Sequence, residues 1–313
     1  MLKHRLLMSA LLIPATIGLF VWDDHLGVRA PVLFVFVMFV AARCVWELVT
    51  LVRVAGFRPN TALVLIGTWF MIGASWWVLS PWSGDRWPIL EKESWQQLVR
   101  AGGALIVVSL LNAVFRFSRL ERINAESTPS SRLGQHVATL GIELFIVAYI
   151  GVLLALTCQL RWVAYSGGGI WNVGYFALSA LIVTTKMGDV GAYTFGRLIG
   201  GPKMTPKLSP GKTWAGGIGH LVTAGSCSAA WLCWLGPRIC SDWPAWGVFN
   251  ALIFGVIVGF AGLIGDLAES LIKRDFGVKD APALLPGFGG LLDLMDSILL
   301  AGPVAYAMWH LLR

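Results

Sequence analysis

Three stretches of the chain place charged side chains at helical spacing beside otherwise apolar sequence. In the first stretch, polar residues, four of them charged, recur at i, i+3, i+4, i+7 and i+8, which is one continuous face of a helix. Ionisable residues at membrane depth are costly, so by default they indicate a functional site. The three polar faces consist of Asp266, Glu269, Ser270, Lys273 and Arg274; of Gly289, Gly290, Asp293, Asp296 and Ser297; and of Lys186, Asp189, Tyr193, Gly196 and Arg197.

Carboxylates on facing helices, with lysines and arginines beside them, indicate a hard divalent cation that holds a polyphosphate. Mg²⁺ in proteins takes one or two carboxylates together with substrate phosphate oxygens and water, and Lys and Arg balance the charge of the phosphates. Two alternatives stay open at this point. The polar faces could be closed by internal salt bridges, such as one between Asp266 and Lys273, or they could form a path for protons or ions.

Two loops between the polar faces have the composition of phosphate-binding segments. Residues 196–217 are rich in glycine, which lets backbone N–H groups approach an anion closely. The loop is not a Walker A sequence, because the residue five before Gly211 is Pro206. Residues 277–290 return to the membrane through a Pro-Gly turn, and their glycines are equally compatible with close helix packing. The basic and hydroxyl side chains of the two loops are Lys203, Thr205, Lys207, Ser209, Lys212, Thr213 and Lys279.

Membrane-spanning helices must position these faces, because the composition is far from that of soluble proteins. Apolar residues make up 57% of the 313 residues and charged residues 13%, against about 25% charged residues in soluble domains. A helix needs about 20 apolar residues to cross a bilayer. The sequence predicts an all-α, polytopic integral-membrane helical bundle of about nine transmembrane helices, near residues 6–22, 31–54, 61–80, 98–117, 137–159, 171–188, 215–236, 246–265 and 289–309.

The distribution of basic residues predicts the orientation of this bundle. With nine spans, 16 lysines and arginines lie on one side of the membrane and 7 on the other. The positive-inside rule then places the N-terminus and the C-terminal polar faces in the cytoplasm, and we expect a bacterial inner (plasma) membrane with its lipids as partners. The basic residues are scattered between apolar runs and form no patch, so nucleic acid is not expected as a partner.

The chain is predicted to divide into residues 1–180, a scaffold of transmembrane helices, and residues 181–313, a catalytic transmembrane region whose active site faces the cytoplasm. Acidic residues inside apolar runs are expected only in the C-terminal half. An ion-coupled transporter built from inverted repeats would carry such residues in both halves. A transporter is therefore the less favoured function.

The polar faces and loops resemble the phosphatidate cytidylyltransferases, the CDP-diacylglycerol synthases of phospholipid biosynthesis. The C-terminal signature of that family runs S-x-x-K-R, four residues, K-D, a spacer and P-G-H-G-G-x-x-D-R-x-D. An upstream block runs D-x-x-A-Y, then G-R, then S-P-K-K-T-W-E-G. The matching residues here are Ser270, Lys273, Arg274, Lys279, Asp280, Pro286, Gly287, Gly289, Gly290, Asp293 and Asp296, and upstream Asp189, Ala192, Tyr193, Gly196, Arg197, Ser209, Pro210, Lys212, Thr213, Trp214 and Gly216.

Four positions depart from this pattern. Phe288 stands where the family has His, and Leu294 stands where it has Arg. Gly211 and Ala215 replace a Lys and a Glu of the upstream block. Leu294 lacks the charge of a phosphate partner, and Phe288 lacks a group that carries a proton or binds a ligand. The departures leave open an altered substrate or a catalytically inactive homologue.

The resemblance implies a membrane nucleotidyltransferase that makes CDP-diacylglycerol and pyrophosphate from CTP and phosphatidic acid. It implies Mg²⁺ on Asp266 and Asp293, is compatible with a second cation, and leads us to expect a homodimer by analogy. Alternatives are a cytidylyltransferase or CTP-dependent kinase for another lipid, and the sequence does not distinguish CTP from dCTP. The implied catalytic residues are Lys273, Arg274, Lys279, Asp280, Asp189 and Asp296, and the implied nucleotide- and phosphate-binding residues are Arg197, Lys207, Ser209, Lys212, Thr213 and Ser270.

Overall fold

A computed structural model of the chain describes most of its residues. The predicted site residues Lys279 and Asp280 and the departing residue Phe288 lie outside the described part. The described residues are 2–27, 29–77, 99–114, 135–163, 173–240, 243–278 and 289–312.

Each of the nine predicted apolar runs contains a helix in the described residues. Two of the runs change helix type along their length, through π-helical turns at Val147–Val152 and Ala230–Leu235 and a 3₁₀ turn at Gln159–Trp162. The α-helices are α1 (Leu2–His25), α2 (Pro31–Val54), α3 (Thr61–Trp77), α4 (Val99–Val114), α5 (Gln135–Ile146), α6 (Leu153–Cys158), α7 (Val173–Leu198), α8 (Trp214–Ala229), α9 (Gly236–Ile239), α10 (Val248–Asp275) and α11 (Leu291–Leu312).

Five helical stretches are long and apolar enough to cross a membrane, judged by length and composition. A run of about 20 apolar residues is the length that a bilayer core demands. The all-α, polytopic membrane character predicted from the sequence is therefore supported in the part of the chain that the structure describes. The five stretches are α2, Val137–Trp162, Trp214–Ile239, α10 and α11.

Two helices continue well past the ends predicted for their membrane spans. Helix α7 extends beyond residue 188 to Leu198, and α10 extends beyond residue 265 to Asp275. Each helix stops just before glycines with positive φ, at Gly200 and Gly201 after α7 and at Gly277 after α10. Glycine adopts this backbone conformation without the steric penalty of other residues. The polar faces on α7 and α10 are thus carried on helical extensions of apolar spans.

The glycine-rich segment after α7, where the sequence predicts a loop, forms a short β-hairpin. Strand β1 (Lys203–Thr205) pairs antiparallel with β2 (Ser209–Thr213), with Lys203 opposite Thr213 and Thr205 opposite Ser209. The register is irregular between these two pairs. The side chain of Thr213 accepts a hydrogen bond from the backbone N–H of Gly216 at 3.1 Å, so it caps the start of α8.

The chain divides into two compact units, and the smaller one comprises residues 36–155. Within it, the Arg43 Nε atom lies 3.0 Å from a Glu47 carboxylate oxygen on α2. The backbone N–H of Asn60 donates to Glu143 of α5 at 2.7 Å. Both glutamates are buried, so the expectation that acidic residues inside apolar runs occur only in the C-terminal half is wrong. Each has a partner in the unit, which is how buried carboxylates are normally accommodated.

The larger unit comprises residues 1–35 and 156–313. A buried polar cluster ties the end of α1 to the start of α7. The Asp23 carboxylate accepts hydrogen bonds from the Tyr175 hydroxyl and from the backbone N–H of Val32, and Arg161 lies 3.3 Å from Asp24. The Arg161 guanidinium also lies 4.0 Å above the Tyr175 ring. These contacts anchor the first helix to the unit that carries the polar faces.

Helices α7, α8, α10 and α11 of the larger unit pack on one another at glycines. A Cβ atom on Gly265 of α10 would lie 2.5 Å from the Asp296 carbonyl oxygen of α11. A Cβ atom on Gly259 would lie 2.6 Å from the Ala224 methyl group of α8. Small residues let helix backbones approach this closely, which is typical of helix contacts in membranes. The glycines therefore bring the polar faces of these helices together.

We expect Gly265→Ala to lower the free energy of unfolding by ~1–3 kcal/mol, because the added methyl group forces α10 and α11 apart. Equilibrium unfolding of the purified protein in mixed detergent micelles measures the change. The matched control is Gly73→Ala in α3, where a Cβ atom meets nothing within 4 Å. The control should be neutral or stabilising by up to about 1 kcal/mol, and equal stability of the two variants would contradict the close packing.

Candidate functional site

The first part of the site is an ion cluster between α10 and α11. The Lys273 ammonium lies 2.7 Å from Asp293 and 3.1 Å from Glu269, one turn earlier on its own helix. The second oxygen of Asp293 accepts a hydrogen bond from the Gly290 backbone N–H at 3.0 Å. Gly289 has φ of +87°, and a Cβ atom there would collide with the Asp293 carboxylate. Before α11, Gly289 therefore leaves space for the Asp293 carboxylate, and Gly290 donates a hydrogen bond to it.

The second part joins the hairpin to α10. Lys212 of β2 lies 2.8 Å from the Asp266 carboxylate, with both side chains partly buried. The i to i+7 salt bridge between Asp266 and Lys273, which the sequence left open as an alternative, is absent from the described ion pairs. Lys273 instead pairs with Asp293 of α11, and Asp266 pairs with Lys212, which lies 54 positions earlier in the chain.

The third part joins α7 to α11 through Lys186. Its ammonium donates a hydrogen bond to the Leu294 backbone carbonyl at 2.9 Å. The same ammonium lies 3.6 Å from the Asp189 carboxylate on its own helix. Asp189 is thus held between Lys186 and a histidine of α8.

That histidine, His220, is a site residue that the sequence analysis missed. Only 1% of it is exposed, its Nε2 atom lies 3.0 Å from the Gly259 carbonyl oxygen, and its Nδ1 atom lies 3.7 Å from Asp189. A carbonyl oxygen only accepts hydrogen bonds, so Nε2 carries a hydrogen and Nδ1 faces Asp189. Gly188 makes room for the ring. The signal in the sequence was a lone ionisable residue inside an otherwise apolar run.

Asp296 lies between these parts and is almost completely buried. Its carboxylate accepts hydrogen bonds from the backbone N–H and the hydroxyl of Ser297. It also interacts electrostatically with Asp266, Asp189 and Lys186. Carboxylates from α7, α10 and α11 therefore converge at this end of the helices. The five carboxylates of the site outnumber its three lysines by two; they are Asp189, Asp266, Glu269, Asp293 and Asp296, against Lys186, Lys212 and Lys273.

Several of the predicted site residues lie outside this cluster. Arg197 is exposed and bonds the Tyr193 hydroxyl at 2.7 Å. Lys207 is exposed between the hairpin strands, and Arg274 is exposed on α10. Within the described ranges, none of these three cations forms an ion pair with a carboxylate. Ser209 and Thr213 have structural positions in the hairpin and the α8 cap, and Ser270 is half-buried on α10.

The oxygen donors of the site have the chemistry that Mg²⁺ prefers. Among the residues that the structure describes, no group of three His, Cys, Asp or Glu side chains is arranged to hold a metal ion. Asp266 and Asp293, the two predicted ligands, are each paired with a lysine. The protein side chains thus offer carboxylates to a cation without forming a complete coordination shell.

Lys273→Met should lower the free energy of unfolding by about 3 kcal/mol or more, because it leaves Glu269 and Asp293 without their shared cation in a largely buried position. Unfolding in mixed detergent micelles measures the loss. Arg274→Met removes the adjacent, exposed cation and is expected to change stability by less than about 0.5 kcal/mol. Equal effects of the two substitutions would contradict the ion cluster.

Comparison with known proteins shows which family the chain belongs to. The sequence model of the cytidylyltransferase family matches residues 3–312. The chain is 39% identical over 126 residues to the uncharacterized protein YnbB of Escherichia coli (strain K12), covering 40% of each chain. It is 38% identical over 133 residues to the phosphatidate cytidylyltransferase of Brucella suis, covering 42% of this chain and 46% of that one.

A longer alignment relates the chain to the phosphatidate cytidylyltransferase of Mycobacterium leprae, which is 28% identical over 269 residues. That alignment covers 85% of this chain and 76% of the mycobacterial protein. Against the E. coli and Brucella proteins, by contrast, the chain spans less than half of the relative's length.

Proposed function

The chain belongs to the cytidylyltransferase family, and from this premise we propose that it transfers the cytidylyl group of CTP to phosphatidic acid, releasing pyrophosphate and forming CDP-diacylglycerol. Relatives named phosphatidate cytidylyltransferase support the choice of substrates. The observation that carries the proposal is the convergence of Asp189, Asp266 and Asp296 with three lysines at the ends of four packed helices. Such a charged site suits a polyphosphate bound with a cation.

In the proposed reaction, an oxygen of the lipid phosphate attacks the α-phosphorus of CTP. A new P–O bond forms there, the bond from the α-phosphorus to the bridging oxygen breaks, and pyrophosphate leaves with the electron pair. A phosphate monoester has a second pKa of about 6 and is largely ionised at neutral pH. No strong general base is therefore needed, and catalysis depends on positioning and charge neutralisation. The loss of the signature histidine at Phe288 is compatible with this chemistry.

We assign Asp266 and Asp293 as ligands of Mg²⁺, and Asp296 as a supporting carboxylate beside them. The assignment is compatible with a second cation. The carboxyl oxygens that α10 and α11 bring together in the cluster support a divalent ion. When bound, Mg²⁺ supplies positive charge to the phosphate oxygens. Lys212 and Lys273, which pair with the two aspartates, would balance the charge of phosphates bound with the ion.

The remaining predicted residues are assigned to the substrates. Cations at the end of α10 and in the segment after it would bind phosphates, and polar groups of α7, α10 and the hairpin would complete the nucleotide and lipid-phosphate pocket. The phosphate-binding residues are Lys273, Arg274 and Lys279, next to Asp280, and the pocket residues are Asp189, Arg197, Lys207, Ser209, Lys212, Thr213 and Ser270.

For the placement in the membrane we propose nine spans, with the N-terminus and the active site in the cytoplasm of a bacterium and the protein in the inner membrane. The 16 to 7 distribution of basic residues supports this orientation. The acyl chains of the lipid would enter sideways from the bilayer between helices. A homodimer is proposed by analogy with the family.

The purified protein in detergent, given CTP, Mg²⁺ and phosphatidic acid, is expected to release pyrophosphate in a lipid-dependent manner. Asp293→Ala should abolish the release, because Asp293 is assigned to the cation. Asp275→Ala, an exposed acidic residue at the end of α10, is the matched control and should leave the rate unchanged. CTP binding without release would point to another acceptor lipid, and absence of CTP binding would favour an inactive homologue.

Asp266→Asn should raise the Mg²⁺ concentration that gives half the maximal rate by at least about tenfold, because a metal ligand is lost. A titration of the rate with Mg²⁺ after treatment with a chelator measures this concentration. Asp275→Asn controls for the loss of one negative charge from α10. An unchanged Mg²⁺ requirement in the Asp266 variant would remove this residue from the cation site.

A further inference from the structure

Lys186 is the lysine of the site that is least neutralised by carboxylates. Lys273 contacts two carboxylates at 2.7 and 3.1 Å, and Lys212 contacts one at 2.8 Å. The ammonium of Lys186 lies 3.6 Å from its only described carboxylate partner, and its closest contact is a neutral carbonyl oxygen at 2.9 Å. About a third of the Lys186 side chain is exposed. An ammonium has three hydrogens to donate, so Lys186 retains capacity for an anionic ligand.

The position of this ammonium is informative because its carbonyl partner belongs to Leu294. Leu294 directly follows Asp293 and stands where the signature described above has an arginine. Lys186 therefore brings a positive charge from α7 to the turn of α11 at which the signature has an arginine and this chain has a leucine. Its charge also acts on Asp296, which lies two residues after Leu294 on α11.

We propose that Lys186 binds a phosphate group of the substrates and replaces the arginine charge that is missing at Leu294. The proposal rests on the cytidylyl transfer proposed above. The ligand chemistry is a phosphate oxygen, which belongs either to the CTP polyphosphate or to the phosphate of the lipid. Lys186 accordingly differs from Lys212 and Lys273, whose charges are already shared with the assigned cation ligands.

A purely structural role for Lys186 makes a different prediction. If the side chain only connects α7 to α11, any neutral donor able to reach the Leu294 carbonyl would replace it. If it binds phosphate, the charge itself is required, because charge-assisted hydrogen bonds to phosphate are much stronger than neutral ones. Substitutions that separate hydrogen bonding from charge therefore decide between the two roles.

The test compares Lys186→Gln, Lys186→Met and Lys186→Arg with the wild-type protein in the pyrophosphate-release assay. Loss of a charged hydrogen bond corresponds to about a 10- to 100-fold fall in kcat/KM, and we expect this for both Gln and Met. The arginine variant should keep most of the activity. Arg238→Met, which removes a cation stacked on Trp234 outside the site, is the matched control and should behave as wild type.

A compensating substitution sharpens the test. Leu294→Arg, added to Lys186→Met, should raise the activity above that of the single Lys186→Met variant, because it restores the charge at the same turn of α11. Measuring KM separately for CTP and for phosphatidic acid shows which phosphate is bound, since only that KM should rise. Activity in Lys186→Gln equal to wild type would overturn the proposal in favour of a helix-connecting role.

A binding measurement keeps this inference separate from the proposed function. Calorimetry with inorganic pyrophosphate and Mg²⁺ needs no turnover; if Lys186 binds a phosphate of CTP, the Lys186→Gln variant should bind pyrophosphate at least about tenfold more weakly than wild type. Weaker binding together with an inactive wild-type protein would uphold the phosphate site and reject the proposed reaction. Equal binding by wild type and variant, combined with equal KM values, would reject the role of Lys186.

Discussion

Charged side chains at the ends of apolar helices must neutralise one another, and this constraint shapes the whole polar end of the larger unit. An ionised group with no partner in a low-dielectric surrounding is strongly destabilising. Lys273 satisfies the constraint for Glu269 and Asp293, and Lys212 satisfies it for Asp266. Because these partners belong to α10, α11 and the hairpin, neutralisation fixes the relative positions of three elements at once.

Such short ion pairs require helices that approach closely, and the glycines provide that approach. Gly265 meets the backbone of α11 at the level of Asp296, and Gly188 and Gly259 enclose the His220 ring. The glycine contacts and the ion pairs thus depend on each other. A wider helix separation would leave the carboxylates unpaired, and unpaired carboxylates would repel the helices.

Periodicity in the sequence was sufficient to predict the helices and the three polar faces, because both follow from residue spacing along one helix. It was not sufficient to predict which charges pair. Lys212 and Asp266 are 54 residues apart, and their contact exists only because the segment after α7 forms a hairpin. His220, Glu47 and Glu143 were missed for a related reason: a single ionisable residue in an apolar run has no periodic pattern, and its partner comes from another element or another turn. The 1–180 and 181–313 division stays a prediction.

The departures from the signature have different physical consequences, which the structure separates. A Cβ atom on Gly211 would meet nothing within 4 Å, so packing does not exclude the lysine that the signature has there. Ala215 lies in the first turn of α8, where a glutamate would interact favourably with the helix dipole. Relative to the signature, the two replacements remove one positive charge from β2 and one negative charge from the start of α8, so the net charge of this segment is unchanged. The replacement of arginine by Leu294 has no such neighbour along α11, so a compensating charge would have to come from another helix, and α7 is the helix whose lysine reaches the Leu294 carbonyl.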